Sequence, residues 1–445
     1  MPSPRALLIA SAALFAVFVV GLVVTQPRPR APSPTLPATT APSPAPPPPG
    51  LTVAASAFSA TAAAAGADAI RWGPAGGPAL LWRPVVDGRA ELTGLVPNTR
   101  YVATAGDETV TFTTPAVPPT VSATVAAGAL RLDDAPFFPL IAWEECPDRW
   151  AADLRDGVTL FAGNPCTNLA SLLTATAGRA VVAGTTQDAA GTTGPGLIGW
   201  FYPDEADARG YTGRTLASAG PGARFLTLTS HFFPLAAPLP TGRGMYDGLV
   251  RRADVVGFDL YPLQELCRPE LLPWVYDAQA SLRELARPRA TFQWIEDREL
   301  NCPDAADTVT PATIRVESWL AIAGGATGLG FFPGNWDAAV GNTIRGIAHR
   351  VRALLPALVQ PPVAIGVSPA VPGVRASGRT FGGAFYVIAV NAGARAASVT
   401  LRANELGNRS FDEADRSALV RAHHGALAIA LPAMSARIYV APPQP

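Results

Sequence analysis

Two stretches of the chain end in acids where a buried strand should end. In "GLIGWFYPDEADARG", residues 196–210, a run of Leu, Ile, Trp, Phe and Tyr passes directly into Asp204 and Glu205. In "ATFQWIEDREL", residues 290–300, a similar run ends at Glu296, followed by Asp297 and Glu299. Paired carboxyls suit chemistry in which one group delivers a proton while the other attacks or activates water. Salt bridging and loop capping are the ordinary roles open to each. A third strand end, "VVGFDLYP" from 255, adds Asp259 and Tyr261, and Asn164 and His231 follow two further apolar runs.

Positioning such groups is the work of the apolar runs. "FFPLIAW" from 137, "VTLFAG" from 158, "RAVVAG" from 179, "LIGWFYPDE" from 197, "RFLTLTS" from 224, "VVGFDLYP", "ATFQWIE" and "GLGFFPG" from 328 make eight candidate strands. Segments between them, such as "PWVYDAQASLRELAR" and "TPATIRVESWLAIAGG", suit helices. Near-continuous apolar strands alternating with helices imply a parallel sheet covered on both faces. Eight units predict a (β/α)8 TIM barrel over residues 118–358, whose active site lies at the carboxyl ends of the strands. Before it, "ALRLDDAPFFPLIAW" predicts a strand, a turn at Asp133 and Asp134, and a second strand ending at Trp143.

With Glu205 ending the fourth strand and Glu296 the seventh, the segment resembles the TIM-barrel glycoside hydrolases of clan A. That resemblance implies an acid/base role for Glu205, a nucleophile role for Glu296 and a retaining reaction on a polysaccharide or oligosaccharide without metal or organic cofactor. The chemistry is consistent, since glycosidic cleavage needs one carboxylic acid at the leaving oxygen and one carboxylate opposite. Trp143, Trp200, Tyr202, Tyr261, Trp294 and Trp336 are candidates to stack on sugar faces, although core packing is open to each. Asp204 departs from the family, which places Asn before the acid/base Glu, and an ionised Asp accepts hydrogen bonds without donating any. Tyr261 is a candidate to hydrogen-bond the nucleophile. Trp200 and Tyr202 are expected to raise the pKa of Glu205.

The flanks set the context. Residues 6–25, "ALLIASAALFAVFVVGLVVT", form an apolar run long enough to span a bilayer. A cleaved signal peptide competes, but "VVTQP" is a poor cleavage site. An anchor over 1–25 and a stiff Pro-rich linker over 26–50 would hold an extracellular catalytic region off the membrane. Over 51–117, Leu92, Leu95, Pro97, Thr99 and Tyr101 followed by "TVTFTT" resemble a fibronectin type III domain, in which a corner Tyr pins a turn. Over 359–445, alternating runs predict an antiparallel β-sandwich. Cys146, Cys166, Cys267 and Cys302 form an even set in an exported chain, and pairings 146 to 166 and 267 to 302 join neighbouring loops. Basic and acidic residues number 34 each, and every basic one is Arg. That balance argues against a nucleic-acid partner, and the lack of Lys removes Schiff-base and P-loop chemistry. The expectation is a monomer that binds carbohydrate. A barrel that has lost catalysis and serves in surface binding or adhesion is the alternative.

Overall fold

The computed structural model describes residues 50–217, 220–302, 308–414 and 418–444. The segment 6–25 and most of the linker lie outside them. Among the described residues no helix is long and apolar enough to cross a membrane.

The centre is a closed parallel barrel. Its strands are β1 (Leu140–Trp143), β2 (Leu160–Ala162), β3 (Val181–Gly184), β4 (Leu197–Phe201), β5 (Ala223–Thr229), β6 (Val255–Asp259), β7 (Ala290–Thr291 and Gln293–Glu296) and β8 (Leu329–Phe332). Consecutive strands pair from β1 to the first piece of β7, and β8 pairs with both β1 and the second piece of β7, which closes the ring. The eight predicted runs are therefore the eight barrel strands. Helices follow most of them: α1 (Pro147–Asp156), α2 (Leu169–Thr176), the short α3 (Tyr246–Val250), α4 (Trp274–Ala286), α5 (Pro311–Gly324) and α6 (Ala338–Leu358). The described residues after β3 and β4 form turns and loops in place of a helix, so the repeat is less regular than its strand pattern.

Register decides which side chains face inward. Ile141, Val181, Phe225, Val255, Phe292 and Trp294 fill the barrel interior, while Ala142, Val182, Ile295 and Phe331 pack outward among the helices. The pairing of β3 with β4 shifts where Val182 meets Leu197 and Ala183 meets Gly199. Across this irregularity Ile198 and Phe201 both face inward and Trp200 faces out. A bulge of this kind reverses the alternation that a sequence would suggest.

The hairpin before the barrel is shorter than expected. Its arms are Ala129–Leu132 and Ala135–Phe137, joined through Asp133 (φ 46°) and Asp134 (φ 63°). Two left-handed central residues are the requirement of the tight turn that matches strand twist. The second arm ends at Phe137, and the barrel strand starts afresh at Leu140. Leu130, Leu132 and Phe137 close the amino-terminal end of the barrel against its interior residues.

Antiparallel sheets flank the barrel. Before it lie a three-stranded sheet (Thr52–Ala55, Ser59–Ala63, Arg89–Thr93) and a four-stranded one in the order Leu81–Pro84, Ala69–Pro74, Arg100–Ala105, Glu108–Thr113. The Tyr101 hydroxyl accepts from Val96 N (2.9 Å) across the preceding turn. After the barrel come a six-stranded and a three-stranded sheet. Arg379, fully buried there, donates to Ile322 O at 2.7 Å and ties that region to α5. Both expected disulfides are present, Cys146 to Cys166 and Cys267 to Cys302.

Candidate active site at the barrel mouth

At the carboxyl rim, β4 ends and the chain turns at Glu205 in the left-handed region (φ 46°). Non-glycine residues rarely take this conformation, and where they do the surroundings must hold them. Asp207 supplies that hold. Its buried carboxylate accepts from Thr229 N (2.9 Å), Thr229 Oγ1 (2.5 Å) and Tyr246 Oη (3.0 Å), which pins the loop after β4 to the end of β5.

The Glu205 carboxyl is half-buried and has no hydrogen-bond donor among the described residues. Burial lifts its pKa above the usual range, and the charges of Asp204, Asp207 and Glu265 add to the effect against Arg209. The expected contribution of Trp200 and Tyr202 gives way to these causes. Trp200 is 1% exposed on the outward face of the barrel. Tyr202 is buried on the helix side, its hydroxyl donating to Arg252 O at 2.9 Å.

Asp204 forms an ion pair with Arg209 (3.8 Å), and burial raises its pKa. Next to it stands Glu144, at the end of β1, also in the left-handed region (φ 47°). Gln187 Nε2 donates to Glu144 Oε2 (3.2 Å), and burial, followed by the charges of Asp204 and Asp188, raises that carboxyl. Asp259 ends β6 partly exposed, and the Tyr261 hydroxyl donates to its Oδ1. Burial and the charges of Asp204 and Glu205 push Asp259 well upward. His231 donates from Nδ1 to Ala237 O (2.6 Å) and acts electrostatically on Glu265. The structure thus brings Asp204, Glu205, Asp259, Tyr261 and His231 to one rim. It adds Glu144, Asp207 and Glu265, which sequence reasoning missed. Glu144 directly follows the first predicted strand and Asp207 lies two residues past Glu205, so their strand-end position was the available signal.

Below the rim, Trp143 meets Phe201 and Trp294 edge-on at 5.3 and 5.5 Å. Trp143 is partly exposed, whereas Trp294 is buried and donates from Nε1 to Thr227 Oγ1 (3.1 Å). These rings form the floor. Trp336 lies elsewhere, buried in the helix layer with Nε1 donating to Asp156 Oδ2 (3.0 Å). Asn164 spends its amide on its own loop, donating to Thr167 Oγ1 and Asn168 O and accepting from Cys166 N and Thr167 N.

Glu296 has different surroundings. It is 0% exposed, and its two oxygens accept from Leu263 N and Gln264 N, each at 2.9 Å. The loop after β6 therefore roofs it. That loop is fastened in turn, because Gln264 Oε1 accepts from Leu300 N (2.6 Å) and the Cys267–Cys302 disulfide closes the same two loops. Behind Glu296 lies Glu317 of α5, fully buried, whose carboxyl is pushed well upward by burial and by the Glu296 charge. Asp297 turns to the loop after β8, accepting from Gly334 N (3.0 Å), and burial pushes its pKa to about 8. Cavities of about 590 and 600 Å³ lie beside the carboxy-terminal sheets, and neither is lined by a rim carboxyl. No cluster of three or more His, Cys, Asp or Glu among the described residues is arranged to hold a metal ion.

These features define a parallel β/α barrel with a carboxyl-rich, aromatic-floored mouth. No protein-family model matches the chain, and no curated protein matches it in sequence. Among solved structures, its fold is similar to AmyP in complex with maltose (9% identity, 68% of this chain and 96% of that one, TM-score 0.44). It is similar also to a GH30 endoxylanase from Clostridium papyrosolvens (12% identity, 72% and 99%, TM-score 0.40). A third is the GH51 arabinofuranosidase from Xanthomonas axonopodis pv. citri (10% identity, 66% and 90%, TM-score 0.41).

Proposed function

We propose that the chain is a membrane-anchored extracellular glycoside hydrolase acting on a polysaccharide or oligosaccharide with retention of configuration, and that Glu205 is its proton donor. One observation carries the reading. A strand-end carboxyl with a raised pKa and no hydrogen-bond donor among the described residues stands over an aromatic floor, among other carboxyls, at the face where barrels of this class do their chemistry. Trp143, the partly exposed ring of the floor, is the sugar-stacking candidate best supported by its position. In this reading residues 6–25 are the anchor, 26–50 the spacer and 51–117 a fibronectin type III-like module, for which the sheet orders and the Tyr101 to Val96 bond are the support.

The resemblance gives the attack to Glu296. Its burial and its two backbone bonds support an anchoring role, and they favour a second reading as well, a barrel that binds saccharide at the cell surface without cleaving it. Incubating the protein with a panel of polysaccharides and aryl glycosides, and following the anomeric proton of the first product by NMR, separates the readings. Release of a retained product supports the hydrolase. Binding without release on every substrate supports the second reading. Amino-terminal sequencing of the mature protein tests the anchor, and a start at or beyond residue 26 would overturn it.

A further inference from the structure

We infer that Asp259, held by Tyr261, is the nucleophilic carboxylate that faces Glu205 across the mouth. This inference rests on the hydrolase reading and assigns the group that the reading leaves open.

Register gives the placement. Thr227 faces inward, since it accepts the indole N–H of the interior Trp294, and Thr229 shares its face by the two-residue period of a strand. In the pairing of β5 with β6, Thr227 lies opposite Gly257 and Thr229 opposite Asp259. Val255, two pairs earlier, is in the interior cluster, so Val255, Gly257 and Asp259 form the inward row of β6. Thr229 is in turn the residue that Asp207 grips, two positions beyond Glu205. The ends of β4 and β6 are thus coupled through the end of β5, and their carboxyls feel one another's charge.

The division of labour follows from hydrogen bonding. Like charges in one mouth favour each other's protonated forms, and the Glu205 charge has this effect on Asp259. Burial and the charges of Asp204 and Glu205 push Asp259 well upward, and the O–H that Tyr261 donates to it is the contact that opposes them and favours the charged form. Glu205 receives no such bond among the described residues, and in the reactive form it carries the proton while Asp259 is the carboxylate. Tyr261 is fixed in turn by stacking on Phe332 (5.7 Å between centroids, 16° between planes). Asp259 Oδ2 then forms the bond to the anomeric carbon as the glycosidic C–O bond breaks, and the departing oxygen takes the Glu205 proton. Water next attacks the same carbon, gives a proton to the Glu205 carboxylate and releases Asp259 as carboxylate. Glu296, roofed by residues 263–264, keeps the loop in place throughout.

The test is covalent trapping. The full chain is screened with 2,4-dinitrophenyl glycosides, and the matching 2-deoxy-2-fluoro glycoside is then used to accumulate the glycosyl-enzyme for peptide mapping by mass spectrometry. The expected label is on Asp259. Asp259→Ala should lower kcat on the order of 10³-fold with azide restoring part of it, and Glu296→Gln should still label at Asp259. Thermal melts of each variant check that it folds, and Tyr261→Phe, which keeps the ring, should slow labelling without loss of folding. A label on Glu296 would overturn the assignment and leave the hydrolase reading standing. Hydrolysis with inversion would also overturn it. A wild-type chain that cleaves no glycoside would overturn both.

Discussion

Replacing Asp207 tests whether the loop carrying Glu205 is held as described. The carboxylate is buried and takes three hydrogen bonds, from Thr229 N, Thr229 Oγ1 and Tyr246 Oη. Hydrogen bonds to charged groups contribute about 1.5–3 kcal/mol each, and a buried donor left unsatisfied costs about 1–3 kcal/mol. The two bonds from Thr229 are not independent, and the hydroxyls can rotate toward other acceptors. The net loss for Asp207→Ala is therefore roughly 3–5 kcal/mol, at the upper end for a single substitution. Asp207→Asn retains one acceptor for Thr229 N and should lose about half as much. Urea titration at neutral pH measures the stability. Because a misplacement of about 1 Å costs on the order of 10²-fold in rate, kcat on a phenyl glycoside, whose leaving group needs the Glu205 proton, should fall by a similar factor in the folded Asp207→Ala protein. A stability loss under about 1 kcal/mol, within the range of unremarkable substitutions, together with unchanged kcat, would refute the reasoning.

Asp297 gives a pH dependence with a definite sign. Its folded pKa is raised to about 8 from 3.8, so the folded state prefers the protonated acid. The associated stability is fully present below the unfolded pKa and is lost as pH rises toward 8, by at most about 1.4 kcal/mol per pH unit. Asp297→Asn should melt with the wild type near pH 4 and above it near pH 8, and parallel melting curves across that range would contradict the assignment. Asp153 is raised to about 8 by burial and by Glu145, so part of the decline should persist in this variant. The Cys267–Cys302 disulfide closes a separation of 35 residues, for which chain entropy gives about 3–4 kcal/mol. Replacing both cysteines with Ser should lower the melting temperature and increase hydrogen exchange at residues 263–264, and unchanged exchange there would mean that the disulfide does not fasten the roof.

The barrel strands were legible because each is buried on both faces and so forms a compact apolar run, as in "RAVVAG" and "RFLTLTS". The same uniformity concealed which side chains face inward. "LIGWFY" has no polar alternation to mark a face, and the irregular pairing at Gly199 sends Phe201 inward and Trp200 outward. Glu205, Asp204 and Asp259 were found because a carboxylate at the end of an apolar strand is a local signal. Glu317 gave no such signal, being one acid inside a helix, and its burial depends on α5 packing against β7. The partners of Glu296 were illegible for a related reason. Leu263 and Gln264 reach it through the path of a loop, and no spacing rule encodes that path. The disulfides were legible from an even cysteine count and from the pairing that joins neighbouring loops.

The central claim is that Glu205 delivers the proton to the leaving group, and its dependence on the leaving group tests it most directly. The measurement compares kcat/KM of the wild type and Glu205→Gln on two aryl glycosides of one sugar, with dinitrophenolate and with unsubstituted phenolate as leaving groups. A good leaving group needs no proton, so the dinitrophenyl substrate should be cleaved at nearly the wild-type rate through glycosylation. The phenyl substrate should lose on the order of 10²–10⁴-fold, the usual contribution of general acid catalysis. Equal losses on both substrates, or none on either, would contradict the account.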